Sequence, residues 1–360
     1  MRYALRATWE TEVARTAPVP LTESLAQRTP HLVAVTLGVH PRENTVPPFT
    51  VCVAEHPANR LDRGAMHASV LCGYLHGLPG ITLIELAEDG PFWRRFDRAL
   101  DDADAVWPLA PLANGSLERL SRHILRRNRV LLGSHPDSLR VCASRLRTAQ
   151  RLAAAGIPVL PSYLVSQPLP ETNGAWVVRP DEGAGWLDTH LFPNAAEAIA
   201  WIEAAACVHQ FSRRSSSYIL QPFIPGRSGS LSLLCCNGKA QLLACNEMCI
   251  AIRGQQFYLL GITINHLADP LGAFERLAQS VAAALPGLWG HVNVEFVIAE
   301  QGALVLGVGA TPAFVVAGLQ ASLGCNPALL ALDLLRHPLT ARVWPAGIAV
   351  SVDAGDLGDS

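Results

Sequence analysis

Apolar positions in this chain fall in short runs bounded by glycine, proline or asparagine, with polar-faced helical stretches between them. That is the pattern of a sheet-rich mixed fold. Residues 31–37 and 80–86 read as strands with a helical stretch at about 63–76 between them, which predicts a βαβ unit. A strand at 104–111, a basic helix at about 116–128 and a strand at 130–133 follow. Residues 1–133 are therefore expected to form one small α/β domain.

Beyond Pro136 the periodicity predicts one helix running through Ala153 and stopped by Gly156 and Pro158. It carries Arg140, Arg145, Arg147 and Arg151, which on a lone helix would mark a solvated face. An apolar strand, Ala175-Trp176-Val177-Val178, leads into Arg179-Pro180-Asp181-Glu182-Gly183-Ala184-Gly185. A helix near 195–206 precedes a strand at 218–222 that turns at Phe223-Ile224-Pro225-Gly226. Asn237-Gly238, set between apolar runs, is the clearest hairpin signal because that pair suits a type I′ turn. A second hairpin joins 292–298 to 303–308 through Glu300-Gln301-Gly302, and Asn326-Pro327 offers the N-cap and first residue of a closing helix. Residues 337–360, rich in Pro, Gly and Asp, are expected to be a loosely held tail.

Residues 303–332 carry no charge over more than the length of a bilayer span. Gly307, Gly309, Pro312, Gly318, Gly324 and Pro327 cut that run into pieces too short to cross, so a buried strand and two packed helices are expected instead. Half of the 360 residues are apolar and the net charge is −2, enough for a large core and too little charge for a broad basic field. Nucleic acid and membrane are thereby disfavoured as partners. The N-terminus lacks an uninterrupted apolar leader, and the nine cysteines form no C-x-x-C pair, which predicts reduced thiols and a cytoplasmic location.

Walker and dinucleotide-binding glycine patterns are absent, since Gly307-Val308-Gly309-Ala310-Thr311-Pro312 breaks the latter at its third glycine. What remains is the loop Gly183-Ala184-Gly185 after a strand carrying Arg179. Small residues let backbone N–H groups approach phosphate oxygens, and a guanidinium grips them bidentately. A plain surface turn fits that loop as well. Cys235, Cys236, Cys245 and Cys249 lie near one hairpin, but adjacent strand residues point to opposite faces, so buried thiols are expected there rather than a metal site. His291 and His266 read as structural histidines.

The order of these parts resembles the ATP-grasp superfamily from about Leu131 to Leu335. Within it the sequence is similar to carboxylate–amine ligases of the tyramine–glutamate ligase type, linked to tetrahydromethanopterin and methanofuran biosynthesis. The matching segments begin with Leu131-Leu132-Gly133-Ser134, Ala143-Ser144-Arg145-Leu146 and Gly156-Ile157-Pro158-Val159-Leu160. They continue with the strand and glycine loop around Arg179 and with Leu220-Gln221-Pro222-Phe223-Ile224-Pro225-Gly226. The resemblance implies α/β and α+β architecture, with a two-subdomain ATP-grasp fold at 134–336 and a nucleotide cleft between about 134–226 and 227–336.

The same resemblance implies ATP contacts from Arg145, Arg179, Gly183, Ala184, Gly185, Gln221, Pro222, Phe223, Ile224 and Asn246. Arginine stands where the family usually has lysine at Arg145 and Arg179, which keeps charge but changes donor geometry. Proline at 222, where Glu is usual, removes a backbone donor, and Met248 takes a usual Gln position. Glu295 matches a Mg²⁺-binding acid, but Gly307 and Gly309 stand where Glu and Asn would complete the site, and Thr311 replaces an arginine. One weakly held ion is the expectation; no replacement acid stands nearby in sequence, although Asp181, Glu182 or Glu247 could reach in from other elements. The implied activity is an ATP-dependent carboxylate–amine ligase working through an acyl phosphate, or else a catalytically impaired nucleotide-responsive or scaffolding subunit. Its acid and amine have no readable code, and a homodimer is the default oligomer.

Overall fold

The structure is a computed structural model that describes residues 49–57, 68–78, 80–85, 91–170, 174–183, 186, 188–209, 218–269, 271–313, 315–336, 339 and 347–353. The strand expected at 31–37 lies outside these residues, as do Ala184 and Gly185.

The first domain is a parallel sheet with helices on both faces. β1 (Phe49–Glu55) lies between β2 (Ile81–Glu85) and β3 (Ala105–Leu109), and β4 (Val130–Leu131) extends β3, all parallel. Such strands bury both faces and therefore read as apolar runs without alternation. Cys52, Ala54 and Val106 face one core with Phe96 and Leu100 of α2 (Phe92–Asp102) and Leu120 and Ile124 of α3 (Ser116–Arg126). Val51, Val53 and Trp107 face the other, with Leu71 and Leu75 of α1 (Ala68–Leu75). The sequence reading missed β1 and α2; β1 was overlooked because its run has no period-2 signature.

The helix expected through 136–153 is instead two, α4 (Pro136–Cys142) and α5 (Arg145–Ala154). Ser144 is extended between them (φ −111°, ψ 124°), and its hydroxyl accepts from the Arg147 N–H as an N-cap. This break puts Arg145 at a helix start, buried rather than on a solvated face.

A second sheet of nine strands curls around the centre of the molecule. β5 (Trp176–Pro180) is flanked by β6 (His190–Phe192) and β7 (Tyr218–Pro222), and α6 (Ala195–His209) covers one face through Ala198 and Ile202 against Trp176 and Val178. The larger part runs β12 (Gly302–Gly309), β11 (Gly290–Ala299), β8 (Arg227–Cys236), β9 (Lys239–Arg253), β10 (Gln256–Ile264), antiparallel throughout. β10 meets β6 at one registered pair, Gln256 with His190. Asn237 (φ 51°) and Gly238 (φ 73°) make the β8–β9 turn in the left-handed region, as the Asn-Gly pair predicts. α7 (Ala273–Ala284) packs on β8 and β9.

The uncharged run resolves into β12, α8 (Val315–Leu323) and α9 (Pro327–Asp333), the last capped by Asn326, whose Oδ1 accepts from the Ala328 and Leu329 N–H groups. Among the described residues no helix is long and apolar enough to cross a membrane. The tail is not wholly loose: β13 (Val350–Asp353) pairs antiparallel with β10, and Val352 is buried against it. Its Val-Ser-Val alternation suits such an edge strand.

Candidate functional site

Three elements bring charge into one buried region. Arg179 sits in the middle of the small sheet on β5, 1 % exposed. Arg145 begins α5 and is 8 % exposed; its Nη1 donates to the Pro180 carbonyl at 2.7 Å, and its backbone N–H donates to the Asp181 carbonyl at 2.9 Å. Glu295 stands on β11 opposite Gly307 of β12 and Ser230 of β8. Burial pulls the pKa of both arginines down, and the neighbouring Arg145 pulls Arg179 further. The Glu295 carboxylate opposes that fall for both guanidiniums, which places the three charges in one field. Asp181 adds to it for Arg145.

An aromatic file runs from these charges toward the turn after β7. The Arg179 guanidinium lies 5.0 Å from the Trp186 ring centre, a cation–π contact. Trp186 stacks on Phe257 at 5.5 Å, and Phe257 meets Phe223 at 6.4 Å. Trp186 is 8 % exposed, and its buried Nε1–H has no acceptor among the described residues. Sequence reasoning missed both Trp186 and Phe257. An indole directly after Gly183-Ala184-Gly185 was the available signal.

The other residues singled out from sequence take the following places. Gln221 is buried, and its Nε2 donates to Ser162 Oγ at 2.9 Å. Pro222 lacks an N–H and Phe223 donates its own to the Ala175 carbonyl, so this turn offers few open backbone donors. Ile224 is partly buried in the same core as Phe223. Gly183 has φ 124°, a left-handed conformation that a side chain would strain. Asn246 is fully buried beneath the region: its Nδ2 donates to Ser230 and Ser232, and its Oδ1 accepts from the Asn265 N–H. It shapes the sheet there with its amide already engaged.

The replacement acids proposed from sequence are engaged elsewhere. The Asp181 oxygens accept from Ser144 Oγ at 2.7 Å and the Leu146 N–H at 2.8 Å. Glu182 accepts from the Asn114 N–H and faces Arg147, and Glu247 pairs with Arg227 and His266. Among the described residues no three His, Cys, Asp or Glu side chains cluster as metal ligands. With both Asp181 oxygens already accepting hydrogen bonds, a divalent ion would find less acidic oxygen than it normally wants beside Glu295 and two guanidiniums. The residues present do not fit a resident Mg²⁺.

The opposing glycines differ from each other. A Cβ on Gly307 would meet nothing within 4 Å, whereas one on Gly309 would collide with the Asn293 amide from the partner strand. The space above Gly309 is already filled by an asparagine reaching across from β11.

Cys235 and Cys236 face opposite cores, as strand geometry requires, and burial drives the Cys235 thiol pKa upward. His291 donates from Nε2 to the Pro327 carbonyl at 2.8 Å, and burial lowers its pKa.

The chain matches an ATP-grasp domain profile over residues 142–312 and a pre ATP-grasp domain profile over residues 70–139. Solved structures share the fold. The biotin carboxylase domain of Hydrogenobacter thermophilus 2-oxoglutarate carboxylase, in complex with MgADP, ADP and bicarbonate, superposes with a TM-score of 0.61 at 14 % identity, covering 82 % of this chain and 71 % of that one. A protein from Archaeoglobus fulgidus assigned to the ATP-grasp superfamily gives 0.56 at 16 % identity over 85 % and 99 % of the two chains. The L-amino acid ligase of Bacillus licheniformis gives 0.57 at 15 % identity over 82 % and 76 %. Identities this low speak to the fold alone. No curated protein matches the sequence.

Proposed function

The chain carries an ATP-grasp domain behind a pre-ATP-grasp domain, and from that premise we propose that it binds ATP beside Arg145, Arg179 and Glu295 and uses it to join a carboxylic acid to an amine. The observation that carries this reading is the convergence of two buried guanidiniums from α5 and β5 on the Glu295 strand. Two buried guanidiniums close enough that Arg145 depresses the pKa of Arg179 favour an anionic ligand, and guanidinium geometry suits phosphate.

In the proposed reaction a substrate carboxylate oxygen attacks the γ-phosphorus of ATP, the bond to the β–γ bridging oxygen breaks, and ADP departs. The acyl phosphate then meets the amine nitrogen; the C–N bond forms, inorganic phosphate leaves and the amine releases a proton. Arg145 and Arg179 would stabilise the charge that develops on the transferring phosphoryl group. The fold likeness to an L-amino acid ligase and the resemblance to tyramine–glutamate ligases favour an amino-acid carboxylate, with a role in C1-carrier cofactor synthesis as one setting.

A second reading, a nucleotide-responsive or scaffolding subunit without ligase turnover, is favoured by Gly307 opposite Glu295, which leaves the acid unpaired across the hairpin. ADP formation separates the two. Release of ADP that requires both an amino acid and a small primary amine supports the ligase, and ATP binding without ADP release across such a panel supports the subunit.

A further inference from the structure

We propose that this site holds its nucleotide as the free polyanion, without a divalent cation, the Arg145 and Arg179 guanidiniums meeting the phosphate charge themselves. The proposal rests on the ATP reading above and reverses what the fold would suggest about magnesium.

Among the described residues, the acids named from the sequence each have an account. Glu295, opposite a glycine on β12, acts on both arginines, and Asp181 acts on Arg145 alone. Both Asp181 oxygens accept from Ser144 and Leu146 at the start of α5. Glu182 and Glu247 are turned to Asn114 and Arg147, and to Arg227 and His266. An ion placed beside Glu295 would have one protein carboxylate to bind and two guanidiniums to repel it, in a region where low solvent access strengthens both effects. The amides that could supplement it are turned away: Asn246 is engaged with Ser230, Ser232 and Asn265, and Asn293 lies over Gly309.

A further polar group in the region is also a donor. Trp186 is buried on the Arg179 guanidinium and its Nε1–H has no acceptor among the described residues. A buried donor of this kind is a cost to the fold until something accepts from it. A phosphate oxygen would do so, whereas a hydrated cation would not. Two guanidiniums and an indole N–H form a donor set, which is the chemistry of an anion site and not of a metal site.

Isothermal titration of ATP into the full chain tests this, once with EDTA and once with millimolar MgCl₂. The expected result is binding in EDTA at least as tight as in magnesium, because the ion competes with the arginines for the same oxygens. Binding that appears only with magnesium, or that magnesium tightens tenfold or more, would overturn the proposal and leave the ATP reading intact. No binding in either buffer would overturn both. Gly307→Glu supplies the control, since a side chain there meets nothing within 4 Å. By restoring an acid opposite Glu295 it is expected to weaken ATP binding in EDTA by tenfold or more and to make it magnesium-dependent. If ATP binds this variant equally well in both buffers, unpaired Glu295 is not the reason the wild type does without the ion, and the proposal fails.

Discussion

The Ser144 hydroxyl donates a 2.7 Å buried hydrogen bond to the Asp181 carboxylate, and with the Leu146 N–H on the other oxygen it latches the start of α5 to the end of β5. These are the two elements that carry Arg145 and Arg179, so one carboxylate sets the spacing of two guanidiniums.

Asp181→Ala is therefore expected to lose two buried hydrogen bonds to a charged acceptor and the support of the α5 cap, at about 2–4 kcal/mol by urea unfolding. Ser144→Ala, which keeps the Leu146 contact, is expected to cost about 1–2 kcal/mol. Both are expected to weaken ATP binding in titration calorimetry beyond what partial unfolding explains, because the arginine pair is no longer held in register.

The two glycines of β12 are expected to respond differently to substitution. Gly307→Glu enters open space and is expected to leave the melting temperature nearly unchanged. Gly309→Asn drives a side chain into Asn293 and is expected to destabilise by about 1–3 kcal/mol through overpacking. Adding Asn293→Gly should recover most of that loss, and failure of the double variant to recover in thermal melts would refute the steric account.

His291 is expected to give the fold an acid-sensitive component. Its Nε2–H donates to a carbonyl, so Nδ1 is the bare nitrogen, and it is buried without a donor among the described residues. Burial lowers the pKa below its ordinary 6.5, so the unfolded chain takes up the proton first. Stability is then complete above about pH 6.5 and falls below it until the folded-state pKa is reached, by at most about 1.4 kcal/mol per pH unit. The slope of stability between pH 7 and 5 should be shallower in His291→Gln than in the wild type.

Thiol labelling is expected to be selective. Cys249 is exposed, whereas Cys52 and Cys142 are buried, with thiols pushed up to about 12. At pH 8 Cys249 should react with a maleimide well before Cys52, Cys142 or Cys235, as peptide mapping would report.

The two hairpins, the Asn326 cap and the division of the uncharged run were legible because each depends on a local signal: a turn dipeptide, a capping side chain, or glycines and prolines placed against a span. The charged site was legible only in part. Arg145, Arg179 and Glu295 lie far apart in sequence; the glycine loop drew attention to Arg179, and the family resemblance, not periodicity, singled out Arg145 and Glu295. That Asp181 is tied to Ser144, that Asn293 fills the space over Gly309 and that Trp186 lies on Arg179 are facts of tertiary contact which no spacing encodes. The break at Ser144 was hidden because Ala143, Arg145 and Leu146 are good helix formers on either side of it, while the capping hydroxyl and its acceptor at 181 decide the geometry.

The small three-strand sheet that carries Arg179 is fastened to the larger sheet at Gln256 and His190, with the Leu191 N–H donating to Gln255 and the Phe257 N–H to Thr189. Among the described residues so narrow a seam leaves few sheet bonds to break if the smaller part moves, with the Asp181 latch as the pivot. The molecule should accordingly contract on taking up nucleotide, with a smaller radius of gyration in solution scattering, and amides at 189–191 and 255–257 should exchange faster than those along β8 and β11.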